Sequence, residues 1–178
     1  MGSHGILCYD TEEEVVQVFS SYLKGGLGRN EAVRLIAPTH GEYSDMLRRA
    51  GIDARDMESD GRLRFLPMIN LFARQGGVPL DIGSVSLSVR KLCQVDDGKF
   101  EGTRVISFSE HYLDYTSPDN VLRLERDLGR AFDLPLSLIC AYDGRELIKR
   151  GLGEVLLSLF QHHGRIIGKE LTLENLEQ

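Results

Sequence analysis

The stretch Leu138-Ile139-Cys140-Ala141-Tyr142-Asp143-Gly144 decides the fold class of this chain. It closes an apolar run over residues 136–141 and opens directly into a helix-forming segment. A short apolar run bounded by turn residues is typical of a strand that is buried on both faces of a parallel sheet. Ligands of such sheets bind beyond the carboxyl ends of the strands. We therefore expect Cys140, Tyr142 and Asp143 to lie where this fold places its chemistry.

The rest of the chain alternates strand patterns with helix patterns. Further strands are predicted at residues 5–9, 32–37, 62–66, 103–108 and, as a last short one, 165–167. The first of these ends on Cys8-Tyr9-Asp10, which is similar to Cys140-Ala141-Tyr142-Asp143 in the stretch quoted above. Alternation of this kind indicates an α/β fold with three layers and a mostly parallel sheet. The length of 178 residues is that of one domain, so residues 1–178 are predicted to form a single unit.

Capping residues predict where several helices begin. Thr11 is a good N-cap with Glu14 three residues later, and Ser117 precedes Pro118 at a first helical position. A helix is predicted over residues 145–163, weakened or divided by Gly151. Residues 68–102 are predicted to hold one or two helices, around 69–74 and 85–92, and to be a mobile segment.

The composition of the chain argues against several classes of function. The net charge is −6, and the basic residues are scattered, which does not favour direct binding of nucleic acid. No apolar run approaches the roughly 18 residues of a membrane span, and no signal peptide pattern begins the chain. Three cysteines without a C-x-x-C pair indicate reduced thiols. We expect a cytoplasmic protein with no membrane association.

The junction between the first strand and the first helix does not have a phosphate-binding sequence. A P-loop needs glycines and a lysine there, so that backbone amides and an ammonium group contact phosphates. Residues 9–16 contain neither, and four carboxylates occupy the position instead. Catalysis is not expected either, since no Gly-x-Ser-x-Gly elbow is present and Cys140, inside an apolar strand, would hold little thiolate for a dyad with His163.

Several segments together resemble one known family, the MEDS family of DcmR-like sensory domains of methanogens and methylotrophs. They are His4-Gly5-Ile6-Leu7-Cys8-Tyr9-Asp10, Tyr22-Leu23-Lys24-Gly25-Gly26-Leu27, Phe100-Glu101-Gly102-Thr103-Arg104-Val105, Glu125, Cys140-Ala141-Tyr142-Asp143 and a late histidine, either His163 or His162. The first seventy residues are also similar to the KaiC branch of RecA-like ATPases, through passages such as Gly51-Ile52-Asp53 and Gly61-Arg62-Leu63.

The resemblance implies a RecA-like core without its phosphate loop that acts as a sensor of small hydrocarbon derivatives, such as one-carbon compounds. We expect no cofactor and no enzymatic activity. Only ten residues follow Gly168, so we expect the signal to pass to a separate regulatory protein, either a transcription regulator or a kinase. A homodimer is also possible for such a domain.

The resemblance further implies that the first strand, the strand at 103–108 and the strand at 136–141 are neighbours. Their carboxyl ends would then bring together the predicted ligand-binding residues Tyr9, Asp10, Glu110, Tyr142 and Asp143. The set also includes His4, Cys140 and His163.

Purely structural roles remain open as alternatives for several of these residues. Asp10 and Asp143 are also good helix N-caps. Cysteines in apolar strands are often core residues, and His163 could be a core histidine with satisfied hydrogen bonds.

Two other functions remain as alternatives to a small-molecule sensor. The first is a ligand-free docking module derived from an inactive ATPase core. The second is a metal or redox sensor, because His4, Cys8, Cys140 and His163 are ligand types that suit zinc or iron.

Overall fold

The computed structural model describes residues 2–72, 83, 84, 87 and 99–167. Its strands form one sheet in the order β3-β2-β4-β6-β1-β5, with β7 also paired to β1. The strands are β1 (Gly2–Tyr9), β2 (Ala32–Ala37), β3 (Leu63–Pro67), β4 (Thr103–Phe108), β5 (Ala131–Phe132), β6 (Leu136–Asp143) and β7 (Arg165–Ile167). The β1–β5 pair is antiparallel, and the other pairs are parallel. The predicted strands are confirmed, and the two-residue β5 was not predicted.

The described helices are α1 (Glu12–Gly28), α2 (His40–Arg49), α3 (Arg55–Ser59), α4 (Ile69–Phe72), α5 (Pro118–Leu128), α6 (Gly144–Lys149) and α7 (Gly153–His162), with a 3-10 helix at Ser109–Asp114. The hydroxyl of Thr11 accepts the backbone N–H of Glu14 at 3.3 Å, which confirms the predicted cap of α1. Gly151, at a φ of 73°, separates α6 from α7 as predicted. The predicted helix at 85–92 falls almost entirely outside the described residues. None of the helices that are described is long and apolar enough to cross a lipid bilayer.

Side chains alternate between the two faces of the sheet along each strand, so each face has its own apolar layer. On one side, Ile6, Leu138, Cys140 and Tyr142 pack with apolar residues of α5 and α7, and we refer to this side as the α5–α7 face. On the other, Leu7, Tyr9, Ile139 and Ala141 pack with apolar residues of α1 and α2, forming the α1–α2 face. Successive side chains of a strand point to opposite faces, so neighbouring residues contribute to different cores. Helices on both faces of a mostly parallel sheet confirm the predicted three-layer α/β fold.

The strands β4, β6 and β1 lie side by side, as predicted. Tyr9 is in register with Asp143, and Phe108 with Ala141. The carboxyl ends of these three strands therefore share one edge of the sheet, which we call the carboxyl edge. The closer similarity to RecA-like ATPases remains a prediction.

Candidate functional site

The predicted site residues divide between two places in the fold. Tyr9, Asp10, Glu110 and Asp143 lie at the carboxyl edge, at or just beyond the ends of β1, β4 and β6. The other four contribute to a polar cluster inside the α5–α7 face, and they are His4, Cys140, Tyr142 and His163. The division follows from the alternation of side chains along the strands. Cys140 and Tyr142 point to the α5–α7 face, whereas Tyr9 points to the α1–α2 face.

A buried hydrogen bond connects two residues of the carboxyl edge. The hydroxyl of Tyr9 donates to Oε1 of Glu110 at 2.6 Å, and each residue is 8% exposed. The second oxygen of Glu110, Oε2, is buried and accepts no hydrogen bond from the residues that the structure describes. An unsatisfied buried oxygen costs free energy, so this position favours an additional donor.

A small cavity, which we call the carboxyl-edge cavity, is bounded by Tyr9 and Glu110. Its volume is about 180 Å³. Its other lining residues come from α1, α2, the end of β4 and the 3-10 helix, and they are Glu12, Val15, Glu42, Asp45, Met46, Arg49, Phe108 and His111. Four carboxylates thus face one guanidinium, and Arg49 already contacts Oε2 of Glu12 at 2.7 Å. The cavity is predominantly acidic.

The environment of Glu110 brings its titration near neutrality. Burial raises the pKa of this carboxyl to about 7, although the hydrogen bond from Tyr9 and the nearby His111 act to lower it. The pKa of Tyr9 is also raised, first by burial and then by the charge of Glu110, so its hydroxyl remains a donor. Glu110 can therefore gain or lose a proton when a charged or hydrogen-bonding ligand enters the cavity.

The two aspartates of the predicted site have different surroundings. Oδ1 of Asp143 accepts the backbone N–H of Glu146 at 2.9 Å, which makes Asp143 the N-cap of α6. The capping interpretation was thus correct for this residue. Asp10 is exposed and is not a cap, because Thr11 caps α1. Among the described residues, neither aspartate lines the carboxyl-edge cavity.

A second group of residues, the buried cluster, comprises His4, Glu125, Cys140 and His163. Nε2 of His4 lies 3.2 Å from Oε2 of Glu125 and 3.3 Å from Sγ of Cys140. Nε2 of His163 lies 3.4 Å from the same carboxylate oxygen, and Sγ of Cys140 lies 3.7 Å from it. All four residues are buried, with at most 4% of their surface exposed. One oxygen of Glu125 is therefore the common centre of the cluster.

Backbone carbonyls fix the orientation of both imidazoles. Nδ1 of His4 lies 2.6 Å from the carbonyl oxygen of Gly129, and Nδ1 of His163 lies 2.7 Å from that of Leu159. A carbonyl oxygen can only accept, so Nδ1 of each ring carries a proton. The Nε2 atoms are thereby directed toward Glu125.

The contacts of Glu125 favour its ionised form despite complete burial. Burial by itself would raise its pKa, but the contacts with His163 and His4 outweigh this and lower it below the usual range. The hydroxyl of Tyr142 donates to Oε1 at 2.5 Å and holds the carboxylate in place.

Sequence reasoning noted Glu125 but did not assign it to the metal-ligand set. Its position was informative, since Glu125 is one residue beyond Leu124 and three before Leu128 on the buried stripe of α5. A carboxylate on such a stripe needs polar partners in the core.

Cys8 was wrongly included in the possible metal-ligand set. It lies four residues beyond His4 on the same strand, which places it about 13 Å away. Its Sγ instead packs against Gly144, where an added Cβ would approach to 2.8 Å. Burial, followed by the charges of Asp10 and Asp143, raises the pKa of Cys8 to about 11. Glu125 occupies the position in the cluster that Cys8 was expected to take.

The two late histidines are also distinguished by the structure. His163 is buried in the cluster, whereas His162 is partly exposed at the end of α7.

A larger groove runs between α1 and the sheet. It encloses about 530 Å³ and is mostly apolar. Its lining residues are Leu7, Cys8, Glu14, Gln17, Val18, Ser21, Tyr22, Ile139 and Ile167. Neither Glu110 nor any residue of the buried cluster borders it, so the groove provides a comparison for tests of the other two sites.

Comparison with known proteins identifies the family to which the chain belongs. No curated protein sequence matches the chain. Residues 3–162 match the family described as MEDS, the methanogen/methylotroph, DcmR sensory domain. The matched region contains β4 and β6 in full and all of β1 except Gly2, and it includes His4, Glu110, Glu125 and Cys140. The chain therefore belongs to the MEDS family of sensory domains.

Proposed function

We propose that this sensory domain acts in the cytoplasm by binding a small organic molecule in the carboxyl-edge cavity. The observation that carries the proposal is the buried Oε2 of Glu110, which has no hydrogen-bond partner among the described residues and belongs to a residue that lines the cavity. A ligand that donates an N–H or O–H to this oxygen would remove the cost of leaving it unsatisfied.

The size of the cavity restricts the ligand to a few heavy atoms. A volume of about 180 Å³ corresponds to roughly six water molecules at their share of liquid volume. This space suits a one-carbon compound or a similarly small hydrocarbon derivative.

The charge of the lining favours an amine over an alcohol or a halide. The acidic side chains outnumber the single arginine, and Tyr9 and Phe108 supply aromatic surface. An ammonium group can form a charge-assisted hydrogen bond to a carboxylate and can also be attracted to aromatic faces. A neutral alcohol could make only the weaker hydrogen bond, and a halide could donate none.

ATP hydrolysis is not part of the proposal. The position of a phosphate loop, between β1 and α1, is occupied by Glu12, Glu13 and Glu14 in the first turn of the helix. Carboxylates at this helix end would repel the phosphates that the helix dipole otherwise attracts.

We also propose that ligand binding is transmitted to a separate regulatory protein. The Tyr9–Glu110 bond connects β1 to the 3-10 helix that follows β4, and a ligand at Oε2 would alter the charge of the same carboxyl. A ligand shifts a conformational equilibrium only by the difference in its affinity for the two states. The protonated and ionised forms of Glu110 are candidates for those states.

The proposal is tested by thermal unfolding and calorimetric titration at about pH 8 with three probes of similar size, ethylamine, ethanol and bromoethane. We expect ethylamine to bind most tightly, ethanol more weakly and bromoethane least. Glu110→Gln, which keeps the shape and removes the charge, should abolish the preference for the amine. The control is Gln17→Ala in the larger groove, which should leave binding unchanged.

Two results would overturn the proposal. One is the absence of any saturable binding by the three probes to the folded protein. The other is binding that survives Glu110→Gln and is lost in Gln17→Ala, which would place the ligand in the larger groove.

A further inference from the structure

The four residues of the buried cluster have the spacing of a metal site. In a tetrahedral zinc site with ligands at about 2.0–2.3 Å, neighbouring ligand atoms are separated by roughly 3.2–3.7 Å. The distances of Nε2 of His4 from Glu125 and Cys140 are 3.2 and 3.3 Å, and those of Glu125 Oε2 from His163 and Cys140 are 3.4 and 3.7 Å. All four ligand atoms lie within 4.8 Å of one another. Small side-chain adjustments would complete the tetrahedron.

The hydrogen bonds around the two imidazoles are those that metal-bound histidines make. A histidine ligand commonly donates its second ring N–H to a backbone carbonyl, which fixes the tautomer and orients the ring. His4 and His163 both do so through Nδ1, and a neutral ring in this tautomer directs the lone pair of Nε2 into the cluster. Nε2 of His163 makes no hydrogen bond to any of the described residues. Tyr142 orients Glu125 in a similar manner, through its hydroxyl.

Charge balance also favours a divalent cation. Two neutral imidazoles, one carboxylate and one thiolate carry a total charge of −2, which a dication would neutralise. A buried charge needs such compensation, because it is otherwise costly to remove from water.

We propose that His4, Glu125, Cys140 and His163 bind one divalent transition metal ion, for which Zn²⁺ is the best match. Imidazole, thiolate and carboxylate are all zinc ligands, and four protein ligands in a buried place are typical of a structural site. The ion would join β1, β6, α5 and the end of α7, and so would stabilise the α5–α7 face. This inference does not depend on the ligand of the carboxyl-edge cavity, since Glu110 and Tyr9 are not part of the cluster.

The test uses the full-length, reduced protein. Native mass spectrometry, set against the denatured mass, should show one zinc ion per chain that is lost on denaturation. Replacement of zinc by Co²⁺ should give the thiolate-to-cobalt charge-transfer band and the intense visible bands of tetrahedral cobalt. The variant with Cys8→Ser and Cys93→Ser, which retains Cys140 as its single thiol, should keep the charge-transfer band.

Substitution within the cluster should then remove the signal. Cys140→Ser should abolish the charge-transfer band, and Glu125→Gln, which preserves shape, should weaken metal binding by more than about tenfold. His162→Ala is the matched control for the neighbouring histidine and should retain full metal content. Failure of the folded, reduced wild-type protein to bind one zinc or cobalt ion per chain would overturn the proposal. Loss of the charge-transfer band in the variant that retains Cys140 as its single thiol would also overturn it.

Discussion

The hydroxyl of Tyr9 and the carboxyl of Glu110 meet at 2.6 Å and so connect β1 with the residues that follow β4. These two strands are not neighbours, because β6 lies between them in the sheet. The bond uses one oxygen of Glu110 and leaves the other buried without a partner in the described structure. On Glu110 the carboxyl edge thus combines a buried hydrogen bond with an acceptor that no described residue satisfies.

Glu110 is predicted to make stability fall as pH rises. Burial raises its pKa to about 7, so the folded protein binds the proton more tightly than the unfolded chain does. The free energy of unfolding should therefore fall from about pH 4.5 to about pH 7 and remain lower above that range. The loss is at most about 3.5 kcal/mol, since one pH unit corresponds to roughly 1.4 kcal/mol.

Comparison with Glu110→Gln isolates this contribution. The charged or titratable groups that act on Glu110 are Tyr9, His111 and Asp143, and the variant retains them all. Urea unfolding at several pH values should show that Glu110→Gln is more stable than the wild type at about pH 8 and similar at about pH 5. Glu12→Gln, an exposed substitution in the same cavity, should retain the wild-type slope. Parallel pH profiles for the wild type and Glu110→Gln would contradict this prediction.

Tyr142→Phe is predicted to destabilise the protein by about 1–3 kcal/mol. It removes the hydroxyl that donates to Oε1 of Glu125 and leaves a fully buried carboxylate oxygen with one donor fewer. If the cluster binds zinc, the same variant should lose about 10- to 100-fold in metal affinity, because Tyr142 orients a ligand.

The matched control is Tyr22→Phe, which removes a hydroxyl that donates to the carbonyl oxygen of Ser137 at 2.8 Å. Chemical denaturation should show a cost of at most about 1 kcal/mol for this less buried bond. Its metal affinity, measured by competition with a chelator, should equal that of the wild type. Equal losses of stability and affinity in both variants would show that Tyr142 has no special relation to Glu125.

Asp143→Ala is predicted to act through helix α6 and not through ligand binding. The substitution removes the side-chain acceptor for the N–H of Glu146, and loss of an N-cap costs about 1 kcal/mol. Thermal unfolding should show the loss, and Asp143→Asn should restore most of the stability. Probe affinity at the carboxyl edge should stay within about twofold of the wild-type value. A larger change in affinity than in stability would instead assign Asp143 to the ligand.

The sequence was sufficient for the fold because its signals are local. Apolar runs that end in turn residues located the parallel strands, and Thr11 and Ser117 located two helix starts. The antiparallel pairing of Ala131 with Ser3 was not predictable, because two residues carry no periodic pattern.

The site was predictable only in part, because its assembly depends on tertiary contacts. Alternation along β6 could have shown that Cys140 and Tyr142 do not share a face with Tyr9. The approach of Glu125 to His4 joins residues 121 positions apart, and no spacing in the sequence encodes that distance. His162 and His163 are adjacent in the sequence, and only the position of the end of α7 determines which of the two rings is buried.

The most direct test of the sensor proposal is the titration of Glu110 itself, followed by nuclear magnetic resonance of its labelled carboxyl carbon. The spectrum of Glu110→Gln would identify the signal. We predict a pKa near 7 in the free protein, which falls when ethylamine saturates the site, because an ammonium group favours the ionised carboxyl. Tyr9→Phe should raise the pKa further, since the lost hydrogen bond acts to lower it. A pKa of the Glu110 carboxyl that does not change on addition of ethylamine would contradict the account.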